Sequence, residues 1–157
     1  MFWWKRHKQT ILILFLLLIL TIPVILPFLH GGFFQSDDGE WMAIRFSAFH
    51  QALRDGQFPV RWLGRLNQEY GYPVSNFLYP GFMYLAEIPK VIGFGFVDSI
   101  KIIIGLSLIS SAVFTFFWLK KIFTPFSAFM GAIFYFYAPY RRLAFTARQN
   151  FAGRRKK

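Results

Sequence analysis

Uncharged stretches long enough to cross a bilayer recur along the chain. Residues 10–29 are all uncharged, and as a helix they measure about 30 Å, the thickness of a hydrocarbon core. No small-x-small cleavage site follows them, so an uncleaved anchor is predicted in preference to a signal peptide. Further apolar segments cover residues 77–96, 100–119 and 122–140. The pattern predicts about four transmembrane helices.

The segment 77–96 differs from the others because it contains charged residues and a proline. Glu87 and Lys90 are three positions apart, so on a helix they can neutralise each other on one face. Charges inside a membrane usually face a bundle interior or a wet cavity. A structural ion pair is therefore predicted here, with a ligand-facing role as the alternative.

Residues 39–55 show the periodicity of an amphipathic helix, with apolar side chains at spacings of four, three and four residues. The apolar stripe consists of Met42, Phe46, Phe49 and Leu53, and the polar face of Glu40, Ser47, Gln51 and Arg54. We expect this helix to lie flat on the membrane, with its phenylalanines in the headgroup region. Gly56 is the expected stop.

The composition supports a membrane protein. Of the 157 residues 55% are hydrophobic and 16% are charged, more apolar side chains than a soluble domain of this size can bury. The net charge of +11 does not indicate nucleic-acid binding, because the bases flank the apolar segments as membrane anchors do. The chain has no cysteine, which excludes disulfides and thiolate metal sites.

The distribution of basic residues predicts the orientation in the membrane. With four spans and a cytoplasmic N-terminus, eleven Lys and Arg residues face the cytoplasm and six face outward, whereas three spans leave only five inside. We therefore expect an all-α integral membrane protein with both termini in the cytoplasm. Residues 1–157 form one membrane domain in this arrangement, and residues 30–76 form an external loop that contains the amphipathic helix.

An acidic cluster in this loop is a candidate for chemistry. Asp37 and Glu40 have the spacing of a capping box for the amphipathic helix, which leaves Asp38 without a structural role. A carboxylate at the mouth of a helical bundle can act as a general base toward an acceptor hydroxyl. Alternatively, Asp37 and Asp38 can hold a divalent cation against a substrate phosphate.

A basic pair in the same loop is a second candidate. Arg61 and Arg65 are four residues apart and lie beside Trp62, so their guanidinium groups can both donate hydrogen bonds to one lipid phosphate. Anchoring to headgroups is the alternative. The aromatic residues of this region, among them Tyr79, also suit a membrane interface for structural reasons alone.

Taken together, these motifs resemble the N-terminal part of the GT-C superfamily of membrane glycosyltransferases. The shared features are an acidic pair after the first span, an amphipathic helix, and the segments "ALRDGQFPVRW" and "YGYPVSNFLYP". The resemblance covers roughly residues 10–148. The most similar group is the bacterial membrane proteins labelled as related to 6-pyruvoyl-tetrahydropterin synthase, a label that implies no pterin chemistry.

The resemblance implies a partial GT-C bundle in the cytoplasmic (inner) membrane of a bacterium. Such a protein transfers a sugar from a polyprenyl-phosphate donor at the outer membrane face. Its partners are membrane lipid and that donor, with no nucleic acid. The essential carboxylate of the family falls on Asp38, with Asp37 as the second candidate, either as base or as ligand of a divalent metal. The substrate-binding candidates are Arg61, Arg65, Trp62 and Tyr79.

Two departures from the family pattern affect the expected activity. Family members are much longer and have many more spans, and they continue with acidic residues where this sequence has Ala144 and Gly153. We therefore expect a truncated N-terminal fragment that is inactive by itself. The alternative is a non-enzymatic small membrane protein, either an assembly partner or the remnant of a truncated gene.

Overall fold

The computed structural model describes residues 2–29, 31–32, 39–78 and 80–138, and its regular elements are helices joined by loops. Five α-helices follow one another: α1 (Phe2–Ile25), α2 (Gly39–Arg54), α3 (Gly81–Ile92), α4 (Phe96–Leu119) and α5 (Pro125–Phe136). Short 3₁₀ turns cover Leu26–Leu29 and Val74–Asn76. These residues form no strand, apart from one isolated backbone pairing, so the predicted all-α fold is confirmed.

Two of the helices are long and apolar enough to cross a membrane, Lys8–Ile25 within α1 and all of α4. By contrast, α3 and α5 have 12 residues each, about 18 Å, which is shorter than a hydrocarbon core. The helix of segment 77–96 ends early because Gly93 adopts a left-handed conformation with φ of 119°. The two apolar helices support a membrane protein, and the count of four spans stays a prediction.

The chain divides into two compact units, each with its own hydrophobic core. Unit 1 comprises Met1–His30 and Gly105–Lys157, and unit 2 comprises Gly31–Ile104. The long helix α4 contributes its first residues to unit 2 and the remainder to unit 1.

Small side chains allow close packing in unit 1. Alanines line its buried core, which lets helix backbones approach one another, and larger apolar residues fill the rest. The core residues are Leu17, Ala112, Phe116, Ala128, Ala132 and Phe136. Just after α4, Lys120 Nζ donates a hydrogen bond of 2.6 Å to Thr10 Oγ1, and the Tyr137 hydroxyl donates to the carbonyl of Leu20. The C-terminal end of α4 therefore meets α1 near the first residues of its apolar segment.

The apolar stripe of α2 forms part of the core of unit 2. Phe46 and Phe49 have no exposed surface, and Met42 and Leu53 pack against the same cluster. The Phe49 ring meets Tyr84 of α3 edge to face, with ring centroids 4.8 Å apart. The predicted helix is confirmed, but the expectation that its phenylalanines face the headgroups is wrong. The reason is that α3 and the start of α4 supply protein surface that buries them.

The loop between α2 and α3 is fixed by a short backbone pairing. Leu63 and Tyr72 exchange N–H···O bonds of 3.0 and 3.1 Å, and the chain reverses between them through left-handed residues. Gly71 has a φ of +79°, and a Cβ atom there would lie 2.2 Å from Nε1 of Trp62. Glycine is thus required at this position, which gives the Tyr-Gly-Tyr motif a structural role.

Replacing Phe49 by alanine should destabilise the protein by about 3–5 kcal/mol, because a buried ring is lost and a cavity remains. The matched control Ile44→Ala lies on the exposed side of the same helix, and we expect it to change stability by under about 0.5 kcal/mol. Denaturant unfolding of the detergent-solubilised chain, followed by tryptophan fluorescence, measures both. Equal stabilities of the two variants would contradict the burial of Phe49.

Candidate functional site

The polar face of α2 forms one wall of a pocket of about 510 Å³ in unit 2. Ser47, His50, Gln51 and Arg54 share this face because they are spaced three or four residues apart. Arg65 comes from the loop, Lys90 from α3 and Phe96 from the start of α4. The remaining lining residues are Ile44, Ala48 and Leu66. We call this the basic pocket, since none of its described lining residues is acidic.

The cations of the basic pocket form no ion pair with a carboxylate of the described residues. Among the described residues, Arg54 and Arg65 form no ion pair or hydrogen bond through their side chains. The Lys90 ammonium lies over the Phe96 ring, 4.7 Å from its centroid. The nearby Asp55 carboxylate accepts a hydrogen bond of 2.8 Å from Gln51. Three permanent cations around one concavity create a positive potential that favours an anionic ligand.

A histidine and a glutamate link α2 to α3 at the edge of this pocket. His50 Nδ1 and Glu87 Oε2 are 2.8 Å apart, and the two side chains are 21% and 13% exposed. With Glu87 as the carboxylate acceptor, Nδ1 carries the donated proton. The second ring nitrogen, Nε2, has no hydrogen-bond partner among the described residues, and the His50 side chain belongs to the pocket lining.

The predicted ion pair between Glu87 and Lys90 is not formed. Glu87 turns toward α2 and His50, whereas Lys90, almost one turn further along α3, lies over Phe96. In place of the ion pair, Lys90 gains a cation–π contact with Phe96, and the Glu87 carboxylate gains a hydrogen bond with His50. The alternative interpretation, a ligand-facing Lys90, agrees with its place in the lining of the basic pocket.

The predicted site residues fall into three groups. Arg65 lines the basic pocket. Arg61 and Trp62 are exposed but are not among its lining residues, and the Trp62 indole instead packs on Gly71. Asp37, Asp38 and Tyr79 lie outside the described residues, so their roles stay predictions. The described part of the chain brings together no group of three or more acidic or histidine side chains, and a metal on Asp37 and Asp38 likewise stays a prediction.

Sequence reasoning missed His50 as a site residue. The signal that could have found it is its position between Ser47 and Arg54, at helical spacing from both. Its partner Glu87 is 37 positions away, and no local pattern reveals that contact.

Comparison with known proteins gives no further assignment, since the chain matches no protein-family model, no curated protein and no solved structure. The resemblance to the GT-C superfamily therefore rests on the motifs quoted above, and we treat what it implies as a proposal.

Replacing His50 by alanine should lower the free energy of unfolding by about 1–3 kcal/mol, because the Glu87 carboxylate loses its hydrogen-bond partner while remaining mostly buried. The control is Gln51→Ala on the next position of α2, which removes an exposed hydrogen bond to Asp55 and should cost under about 0.5 kcal/mol. Chemical denaturation measures both variants. A His50→Ala protein as stable as the control would contradict a structural link through this pair.

Proposed function

We propose that the chain is the N-terminal part of a membrane glycosyltransferase of the GT-C type, and that its basic pocket binds the phosphate of a polyprenyl-phosphate sugar donor. The observation that supports this most strongly is the pocket itself. It combines Arg54, Arg65 and Lys90 with no described acidic lining residue. Arginine suits phosphate because its planar guanidinium can donate two parallel hydrogen bonds to phosphate oxygens.

The positive charge also suits the chemistry of transfer. When an acceptor hydroxyl attacks the anomeric carbon, the bond from that carbon to the phosphate oxygen breaks, and the phosphate keeps the electron pair. The phosphate thereby gains a second negative charge, which fixed cations stabilise more in the transition state than in the bound donor. In this proposal Asp38 takes the hydroxyl proton, with Asp37 as the second candidate. The resemblance also allows an alternative in which Asp37 and Asp38 together would hold a divalent cation.

The second candidate function is non-enzymatic: a small membrane protein that binds a lipid phosphate without transferring a sugar. The same basic pocket supports it, because phosphate recognition requires no carboxylate. Transfer of a sugar by the chain from a polyprenyl-phosphate donor would exclude this candidate.

The contacts within unit 1 favour a simple topology for such a protein. Lys120 bonds to Thr10, so the C-terminal end of α4 lies near the N-terminal end of the apolar part of α1. We propose that α1 and α4 cross the inner membrane of a bacterium in opposite directions, with a cytoplasmic N-terminus. The chain between them, including α2 and α3, then lies outside. The four-span prediction instead places the residues after α3 in the cytoplasm and Lys120 outside.

The role of the basic pocket can be tested with two arginines of the same loop. Arg65→Ala should weaken binding of citronellyl phosphate, a short polyprenyl phosphate, about tenfold, the loss of one charged hydrogen bond. Arg61→Ala, four positions away but not in the lining, should stay within about twofold of the parent chain. Isothermal titration calorimetry in detergent gives both affinities. An equal loss in both variants would mean that the arginines attract the phosphate only through long-range charge.

Single cysteines decide the topology, because the chain has none of its own. We expect a membrane-impermeant maleimide added outside intact cells to label Asn76→Cys and Phe94→Cys but not Lys121→Cys, three positions exposed on the protein surface. The four-span arrangement gives labelling at positions 76 and 121 and protection at 94. That second pattern would contradict the proposed crossing by α1 and α4.

A further inference from the structure

A second pocket, of about 410 Å³, adjoins the basic pocket in unit 2. The described residues that line it are Trp41, Arg45, Leu66, Asn67 and Tyr72. Leu66 lines both pockets, so the two are neighbours that share one wall residue. We call it the aromatic pocket.

The aromatic rings of this pocket are open rather than packed. Trp41 is 57% exposed and Tyr72 is 47% exposed, although both belong to ordered elements. Trp41 lies in the first turn of α2, and the backbone pairing with Leu63 fixes Tyr72. Two large rings held in place by the backbone offer flat apolar surfaces at a low cost in side-chain entropy.

The polar groups of the aromatic pocket find no partner within the described part of the chain. The side chains of Trp41, Arg45, Asn67 and Tyr72 make no hydrogen bond with any described residue. They supply an indole N–H, a guanidinium, an amide and a hydroxyl, which together offer many donors and a few acceptors. Arg45 follows Trp41 by one helical turn, so its guanidinium borders the same cavity as the indole.

Open aromatic faces beside unused hydrogen-bonding groups suit a pyranose ring. The C–H groups of one sugar face provide an apolar patch that stacks on an aromatic ring, and the equatorial hydroxyls need donors and acceptors at the ring edge. A hydrocarbon chain would leave four polar side chains without partners, which is costly. A second phosphate would have only Arg45 as a cation.

We propose that the aromatic pocket is a carbohydrate subsite, and that it holds the sugar ring of a sugar phosphate whose phosphate occupies the basic pocket. The link to a phosphate rests on the function proposed above, whereas the affinity for a sugar does not. The shared wall at Leu66 matches a sugar 1-phosphate, in which ring and phosphate are directly bonded. The candidate base Asp38 precedes Trp41 by three positions in the sequence.

The direct test compares the affinities of phosphates that carry a hexose with those of phosphates that carry none. The purified full chain is titrated with the 1-phosphates of glucose, mannose and galactose, with glycerol 3-phosphate and with inorganic phosphate. The detergent is an amine oxide, because glycoside detergents carry a sugar of their own. At least one hexose phosphate should bind about tenfold more tightly than glycerol 3-phosphate and inorganic phosphate, about 1.4 kcal/mol.

Substitutions in the aromatic pocket test whether the preference for hexose phosphates arises there. Trp41→Ala and Tyr72→Ala should each remove most of the advantage of the hexose phosphate while leaving the affinity for inorganic phosphate within about twofold, since their rings touch only the sugar. Phe77→Ala removes an exposed aromatic ring outside both pockets and should leave every affinity unchanged. Retained phosphate binding also shows that each variant is folded.

A second measurement separates this inference from the proposed function. Uncharged methyl hexopyranosides should quench the part of the tryptophan fluorescence that Trp41→Phe removes. If the glycosides bind at Trp41 but neither inorganic phosphate nor glycerol 3-phosphate binds, the carbohydrate subsite stands and the proposed function falls. The subsite is overturned if hexose phosphates bind no more tightly than inorganic phosphate, if their preference survives both Trp41→Ala and Tyr72→Ala, or if neither class of ligand binds.

Discussion

The docking of α2 on α3 is the contact on which unit 2 depends. Phe46 and Phe49 are completely buried, and one fixed hydrogen bond, from His50 to Glu87, links the two helices beside them. Burying two phenyl rings contributes several kcal/mol in favour of this arrangement. The hydrogen bond between His50 and Glu87 fixes the alignment of the two helices, since it forms at one register only. Once the apolar stripe is used in this way, the opposite face of α2 is left to solvent. That face carries the residues that α2 contributes to both pockets.

The pockets follow from this packing together with the shape of one loop. The turn between Leu63 and Tyr72 requires left-handed residues, and Gly71 leaves space for the Trp62 indole. The same turn places Arg65 in the lining that Arg54 also belongs to, and it supplies Leu66 to both cavities. Trp62 therefore shapes the loop, and its neighbour Arg65 is the residue that reaches the basic pocket. A basic pocket beside an aromatic cavity thus arises from short local segments around a single helix face.

Local patterns in the sequence predicted some of this arrangement and could not predict the rest. The period of 3.6 residues identified α2 almost to the residue, because an amphipathic pattern depends only on residues that are close in the sequence. It did not reveal the surface that buries the stripe, since a lipid interface and a protein core demand the same apolar spacing. Glu87 was assigned to Lys90 because the two are close in sequence, whereas its partner His50 is distant. Likewise, Arg61 and Arg65 look equivalent in the sequence, and only the fold of the loop distinguishes them.

His50 joins α2 to α3, and its imidazole can report on this contact directly. The chain contains three histidines, so ¹⁵N-histidine NMR of the protein in lipid bilayers gives few signals, and a His50→Gln sample assigns the one that belongs to His50. We expect a proton on Nδ1, hydrogen-bonded to a carboxylate, with a signal that shifts strongly in Glu87→Gln. A neutral His50 ring with its proton on Nε2, unchanged by Glu87→Gln, would contradict the docking of α2 on α3.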